Sequence, residues 1–297
     1  MHRAFRFGVQ SSASIRSHKE WVTRVRKIEE LGYATLLMPD RPSYGGLMPL
    51  TALAVAAEAT TTLRVGSYVF CNEYRHPLLL GKEVATLDLL SDGRFELGLG
   101  AGVEGDDYAQ LGIPFESGGI RVSRLEESVQ IIKQFFTQES VNFSGKYYTV
   151  SGIKSLPRPI QKPHPPIFIA GAGKRLLSLA AREADIIAIA FRRSRQGGIG
   201  PTDATPEEKL AWIREAAGER FAHLELAQSL YDLKITDTGT DIVTPPGMPP
   251  VPRREMSSEQ AAEHLLELRE RYGYSYFQVY DGQFENFAPV VARLAGR

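Results

Sequence analysis

The chain carries one cysteine, Cys71, in 297 residues. That count excludes an intramolecular disulfide and any cysteine-based zinc site, and it fits a reducing compartment. Neither sign of charge is in excess: Lys plus Arg and Asp plus Glu both number 35. No global field therefore recruits nucleic acid or an anionic membrane surface, and any anion site has to be local. Long apolar runs are missing as well. The first residues, Met-His-Arg-Ala-Phe-Arg, lead straight into a short strand pattern, so neither a signal peptide nor a spanning helix is expected. No His or carboxylate spacing resembles a metal site, and no nucleophile elbow of the G-x-S-x-G type occurs. Cytoplasm is the default expectation, for a soluble protein without a metal site.

What is present is an alternation of short apolar runs and amphipathic helices. Residues 5–10 read as a strand and 17–31 as a helix with Trp21, Val25 and Ile28 on one face, opened by a Ser17/Glu20 capping box and ended by Gly32. A second strand at 34–38 precedes an alanine-rich helix at 50–60, and a third at 63–70 precedes a helix that Pro77 begins. The fourth unit is a strand at 94–99 and a helix at 124–136, capped by Ser123 with Glu126. Residues 141–150 alternate around Ser144-Gly145 and read as a hairpin outside the repeat. The fifth strand is 167–170 with a helix after Gly173. The sixth is 185–190, with Thr205-Pro206-Glu207-Glu208 capping its helix. A seventh lies within 224–235, its helix starting near Ser257, and an eighth is 276–280 with a helix at 284–294. Eight βα units of about 37 residues each predict a single-domain (β/α)8 barrel over residues 1–297. An open doubly wound sheet is the competitor, but no phosphate-binding glycine turn follows the first strand. Two long segments, 192–205 and 236–256, follow strands and should overhang the mouth at the strands' C-terminal ends.

Gly100-Ala101-Gly102-Val103-Glu104-Gly105 fits G-x-G-x-x-G after a strand. The chain beyond it is too broken for a pyrophosphate-binding helix, so these glycines instead let the backbone pass close to another group. Gly171-Ala172-Gly173-Lys174-Arg175 lies between a strand end and a helix start and is not a Walker A loop. Two cations in a helix's first turn oppose its dipole, and a bound phosphate would remove the conflict; the plain alternative is that both point into solvent. Asp40-Arg41 ends strand two, and Cys71 to His76 ends strand three, both at the expected active mouth. His76 before Pro77 reads equally as a helix cap, and Cys71 as a buried filler.

Several longer stretches resemble the bacterial luciferase-like monooxygenase superfamily and, within it, the deazaflavin-dependent (coenzyme F-420) oxidoreductases. They are Glu30-Leu31-Gly32-Tyr33, Leu63-Arg64-Val65-Gly66, the run from Ala85 to Arg94, Leu97 to Gly102, and Pro165-Pro166-Ile167 with Gly171 to Arg175 and Ala184-Asp185. The resemblance implies a barrel with the ring of coenzyme F-420 (8-hydroxy-5-deazaflavin), or alternatively of FMN, against strands three and four. Ser67, Tyr68, Val69, Asn72 and Gly102 would line the ring, and Gly171, Ala172, Gly173, Lys174 and Arg175 would hold the phosphate. It further implies a non-prolyl cis peptide within 67–69, hydride transfer to or from a small organic substrate, and a homodimer. Many relatives have Asp-His where this chain has Asp40-Arg41. Arginine cannot exchange protons near neutral pH, so Arg41 can hold an anion or stabilise developing charge but cannot be the acid. Asp40, His76, Glu104, Asp106 and Tyr108 are the positional candidates for the proton donor. Two other readings stand beside this one: an FMN-dependent monooxygenase, and a cofactor-binding protein without turnover.

Overall fold

The structure, a computed structural model, describes residues 3–103, 105–191, 203–237 and 254–297. The chain begins β1 (Arg6–Gln10), α1 (His18–Glu30), β2 (Thr35–Met38), α2 (Pro49–Ala59) and β3 (Arg64–Ser67). A cis peptide between Tyr68 and Val69 falls within the window the resemblance implied, and the third wall strand resumes as β4 (Phe70–Cys71). Then come α3 (Pro77–Leu90), β5 (Phe95–Gly100), the short α4 (Asp106–Gln110) and α5 (Gly118–Thr137). The chain continues through β6 (Ser140–Ser144), β7 (Thr149–Lys154), β8 (Ile167–Gly171), α6 (Lys174–Glu183), β9 (Ile186–Ile189) and α7 (Pro206–Ala217). It finishes with β10 (Glu225–Ser229), β11 (Leu233–Ile235), β12 (Arg254–Met256), α8 (Ser258–Tyr272), β13 (Tyr274–Tyr280) and α9 (Phe284–Leu294).

The wall runs β1, β2, β3 with β4, β5, β8, β9, β10, β13 and back to β1, all parallel. That is a closed (β/α)8 barrel. β6 and β7 pair antiparallel outside it, and the hairpin reaches Lys154 rather than ending at Val150. Glu127 of α5 fixes its turn by accepting the N–H groups of Lys146, Tyr147 and Tyr148 at 2.8, 2.9 and 3.1 Å. The seventh segment splits: β10 enters the wall, while β11 pairs in parallel with β12 outside it. The long segments at 192–205 and 236–256 fall mostly outside the described residues.

Side chains cap the starts of α1, α3, α7 and α8. Thr205 with Glu208 and Ser257 with Gln260 each form both bonds of a capping box. Ser17 accepts the Glu20 N–H, but the Glu20 carboxylate takes the Arg16 N–H at 2.9 Å, so only half of that box forms. The fourth helix needs correction. It starts at Gly118 after an extended Ser117, which places Ser123 inside α5 rather than at its cap. Burial of Val122, Leu125, Val129, Ile132 and Phe136 carries the helix through two glycines, since tertiary packing overrides weak propensity.

Alternate strand residues face the barrel axis. Leu37, Phe168, Ile186, Ala188, Ala227 and Tyr276 form the inner apolar cluster, separate from the larger core between sheet and helices. Below it, at the strands' N-terminal ends, Glu96 is fully buried and takes the guanidinium groups of both Arg6 and Arg64, the latter at 2.7 Å. Arg6 also pairs with Glu225 at 2.7 Å and lies over the Tyr276 ring at 4.4 Å.

Candidate functional site

The mouth at the C-terminal strand ends carries a different chemistry. Gln10 ends β1 and Ser229 ends β10, while Tyr68 stands where the third wall strand breaks. The barrel's curvature brings the three together: Gln10 Nε2 donates to Ser229 Oγ at 2.8 Å, and Tyr68 Oη lies 2.9 Å from the same oxygen. The Tyr68 ring tilts against Phe168 at 5.2 Å, and Val69 and Ala170 pack on the same inner cluster. Burial pushes the Tyr68 hydroxyl up to about 12, against a smaller downward pull from its bond to Ser229. Ser67 is spent on the wall itself, donating to the Gly98 carbonyl at 2.8 Å and accepting the Gly98 N–H at 3.0 Å. Asn72 is buried beside the Tyr148 hydroxyl of the hairpin, and its Nδ2 has no partner.

The positional proton-donor candidates are held in place. Asp40 is buried and accepts both arms of Arg75, at 2.5 and 3.1 Å, and the Cys71 N–H at 3.1 Å. It is an anchor between the ends of strands two and three. Arg41 pairs with Asp107, which also accepts the Ser43 N–H at 2.7 Å. Burial raises the Asp107 carboxyl, but the bonds from Ser43 and the charge of Arg41 outweigh it and hold it below the usual range. Tyr108 donates to Glu73 at 2.7 Å and lies 3.2 Å from the Cys71 sulfur, while Glu73 pairs with Arg124. Burial pushes both the Tyr108 hydroxyl and the Cys71 thiol up, so neither ionises readily. Gly102 is needed here: its φ is +77°, and a Cβ would stand 1.8 Å from the Tyr108 oxygen. His76 is the N-cap of α3, accepting the Leu78 N–H at 3.2 Å, with its ring edge-on to Tyr148. Asp106 is exposed at the start of α4, and Glu104 lies outside the described residues.

At the rim, Gly173 is the N-cap of α6 and no side chain caps that turn. The first N–H groups of a helix have no internal acceptor, so the turn is open to an anion. Lys174 is exposed, 3.6 Å from Glu215. Arg175 turns instead toward the start of α5, donating to the Gly119 carbonyl at 2.7 Å and to Ser123 Oγ at 2.6 Å. The space a Cβ on Gly171 would take is filled by Leu176, at 2.4 Å. Gly171 therefore serves packing, Gly173 leaves its turn's N–H groups open, Arg175 ties that turn to the start of α5, and Lys174 reaches toward Glu215 of α7. This donor set fits a phosphate, and the neutral floor beneath fits a flat ring. Among the described residues no cluster of His, Cys, Asp or Glu could hold a metal ion, and no helix is long and apolar enough to cross a membrane.

Of the Gln10–Ser229–Tyr68 group the sequence pointed to Tyr68 alone, as a ring-lining residue; Gln10 and Ser229 were missed, although strand period two puts both on inward positions. No local signal marks them, because 219 and 161 residues separate Ser229 from its two partners.

The family model described as luciferase-like monooxygenase matches residues 3–199. An F-420-dependent glucose-6-phosphate dehydrogenase from Amycolatopsis mediterranei is 30% identical over 185 residues, covering 60% of this chain and 55% of the relative. An FMNH2-dependent dimethylsulfone monooxygenase from Pseudomonas putida is 30% identical over 109 residues, 37% of this chain and 30% of that one. The chain thus spans about half the length, or less, of these curated relatives. Among solved structures, a coenzyme F-420 dependent tetrahydromethanopterin reductase from Methanopyrus kandleri superposes with a TM-score of 0.78 over 98% of both chains, at 18% identity. That likeness speaks to the fold.

Proposed function

Since the chain belongs to the luciferase-like monooxygenase family, we propose that it is an oxidoreductase that binds a deazaflavin coenzyme of the F-420 type across the barrel mouth. Hydride passes between that coenzyme and a small organic substrate. The observation that carries this reading is the uncapped first turn of α6, with Gly173, Lys174 and Arg175 at the rim of a neutral floor. In this reading the open N–H groups and the two cations take the phosphate, and Tyr68, Val69 and Gly102 lie against the ring. Ala172 contributes backbone to the same turn. Asp40 and Arg41 act by position: Arg75 and Asp107 hold them, so they shape the mouth and set its field rather than exchange protons. When bound, the coenzyme supplies a two-electron hydride couple; the chain orients it and excludes water.

The second reading, an FMN-dependent monooxygenase, draws on the dimethylsulfone monooxygenase relative, since the same phosphate site takes either cofactor. A binding protein without turnover is the third. A cytoplasmic homodimer belongs to the proposal too, and the outward leucines of α3, Leu79 and Leu90, exposed by 60% and 66%, offer a face for it. Titration of the apo-protein with coenzyme F-420 and with FMN, followed by absorbance, tests the assignment. Tighter binding of F-420 is expected, and equal or reversed affinities at the same salt favour the monooxygenase.

A further inference from the structure

Three arginines meet carboxylates on the side of the mouth where the second to fourth wall strands end, and they spend their guanidinium groups differently. Arg75 gives Nη1 and Nη2 to Asp40, at 2.5 and 3.1 Å. Arg124 gives its two terminal nitrogens to Glu73 and Glu116. Arg41 is the exception. Among the described residues its side chain donates through Nε alone, to Asp107, and neither Nη1 nor Nη2 has an acceptor. The guanidinium is nevertheless fixed. Asp107 is held in turn by the Ser43 N–H at 2.7 Å, the Tyr44 ring lies 4.9 Å from the guanidinium carbon, and a Cβ on Gly105 would stand 2.9 Å from Nη2. Arg41 follows β2 and Asp107 lies beyond β5, so the side chain crosses over the end of the third wall strand, which runs between them. The Tyr74 hydroxyl at that end feels both charges. The Arg41 side chain is 29% exposed, so small solutes reach it.

We propose that Arg41 anchors the substrate, the Nη1 and Nη2 edge of its guanidinium donating to the carboxylate of a small organic acid. The assignment deepens the oxidoreductase reading above and rests on it. A carboxylate presents two oxygens in one plane that match the two parallel N–H groups of that edge, and a guanidinium fixed beforehand loses little freedom on pairing. Asp107 decides between anions. Its carboxylate balances the charge of Arg41, so a monoanion is held by directed bonds, whereas a phosphate dianion meets the repulsion of Asp107 across the same group. The Arg41 side chain crosses above the strand against which the oxidoreductase reading lays the deazaflavin ring. An acid anchored there keeps the carbon next to its carboxylate, a 2-oxo carbonyl or a conjugated C=C, close to that ring.

The test compares acids with their own esters. On a panel of small 2-oxo and 2-enoic acids, each beside its methyl ester, the coenzyme-loaded parent should show a kcat/KM about 10-fold or more higher for the acid. Arg41→Gln should raise KM for the acid by about 10- to 150-fold and leave the ester within about threefold, since the bonds lost are charge-assisted. Arg41→Lys keeps the charge and its place beside Asp107 but not the planar edge, and its KM should fall between the two. Saturation-transfer NMR on the coenzyme-loaded protein, with propanoate and with propanamide, reads the same contrast without turnover: Arg41→Gln should lose the propanoate signal. An Arg41 that only supports the fold would lower acid and ester together. That result, a parent that prefers the ester or reduces no acid, or a propanoate signal that survives Arg41→Gln overturns the anchor and leaves the oxidoreductase reading standing. A parent that binds no deazaflavin overturns that reading and the anchor with it.

Discussion

The two ends of the barrel are built on opposite plans. At the N-terminal end a buried carboxylate, Glu96, holds two guanidinium groups, and Arg6 continues the pairing to Glu225. The opposite end has an uncapped helix turn, an exposed Lys174 and the Tyr68–Ser229 hydroxyl pair. Closed networks resist ligands and hold the fold; open ones wait for a partner. In (β/α)8 barrels chemistry gathers at the C-terminal face and stability at the other, and here the mouth keeps its open groups beside ion pairs of its own, Asp40 with Arg75 and Arg41 with Asp107.

Breaking the closed end should have the largest effect. Glu96→Ala leaves two guanidinium groups without their buried partner and should cost about 3 kcal/mol, the low end for a broken buried pair because the arginines are about a quarter exposed. Urea unfolding at pH 7 measures it. The sign of its pH dependence follows from the structure. Burial raises Glu96, but Arg6 and Arg64 outweigh burial and hold it below the ordinary value. Its contribution is therefore complete above the unfolded value of about 4.3 and is lost as pH falls through the lower folded value. The gap between parent and variant should shrink below pH 4. Glu225, raised by burial, works the other way and gains as acid neutralises it.

The open end should respond in binding. Lys174→Ala and Arg175→Ala each remove charge-assisted bonds worth about 1.5–3 kcal/mol, so each should weaken coenzyme binding by about 10- to 150-fold. Arg175→Ala should also lower stability slightly, because Gly119 and Ser123 lose their donor. Lys174→Ala should not. If both variants unfold early yet bind normally, the contrast between the ends fails.

Glu29 sharpens the contrast from a third position. One carboxylate oxygen accepts the N–H groups of Thr61, Thr62 and Leu63 at 2.9, 2.6 and 3.0 Å, just before β3. Burial pushes it up, but these bonds together outweigh it and bring it down to about 2. Its contribution is present above about pH 4.3 and is lost as pH falls toward 2. The group faces solvent, so Glu29→Gln should cost only about 1 kcal/mol at pH 7, as an unfolding titration between pH 2 and 7 would show. The smallest effect on binding is expected at Arg41. Arg41→His should keep coenzyme affinity within about threefold while altering turnover or its pH profile. A profile unchanged across pH would place Arg41 outside the chemistry.

The strands and helices were legible because their cause is local: apolar period, capping serines and threonines, and prolines at first turns. The start of α5 was not, since Ser123 with Glu126 reads as a cap while the helix in fact begins at Gly118, through two glycines that carry no helix signal. Site roles were harder still. Asp40 looks like an acid from its place after strand two, but its fate depends on Arg75, 35 residues away. Arg41 meets Asp107 across 66 residues, and Tyr68 meets Ser229 across 161. Strand closure sets such pairs, and the sequence marks only the residues that closure then brings together. The Gly173-Lys174-Arg175 turn was legible because its oddity, cations against a helix dipole, lies within one turn of chain.

The central claim, that the open α6 turn binds the coenzyme through its phosphate, is tested most directly by comparing parent affinity for coenzyme F-420 with that for an analogue lacking the phosphate, at low and high salt. Weak binding of the analogue is predicted, with little dependence on Lys174→Ala or Arg175→Ala, together with full-coenzyme affinity that falls as salt rises. If both substitutions weaken the phosphate-free analogue as much as the full coenzyme, these residues support the fold or the ring, and the phosphate assignment is wrong.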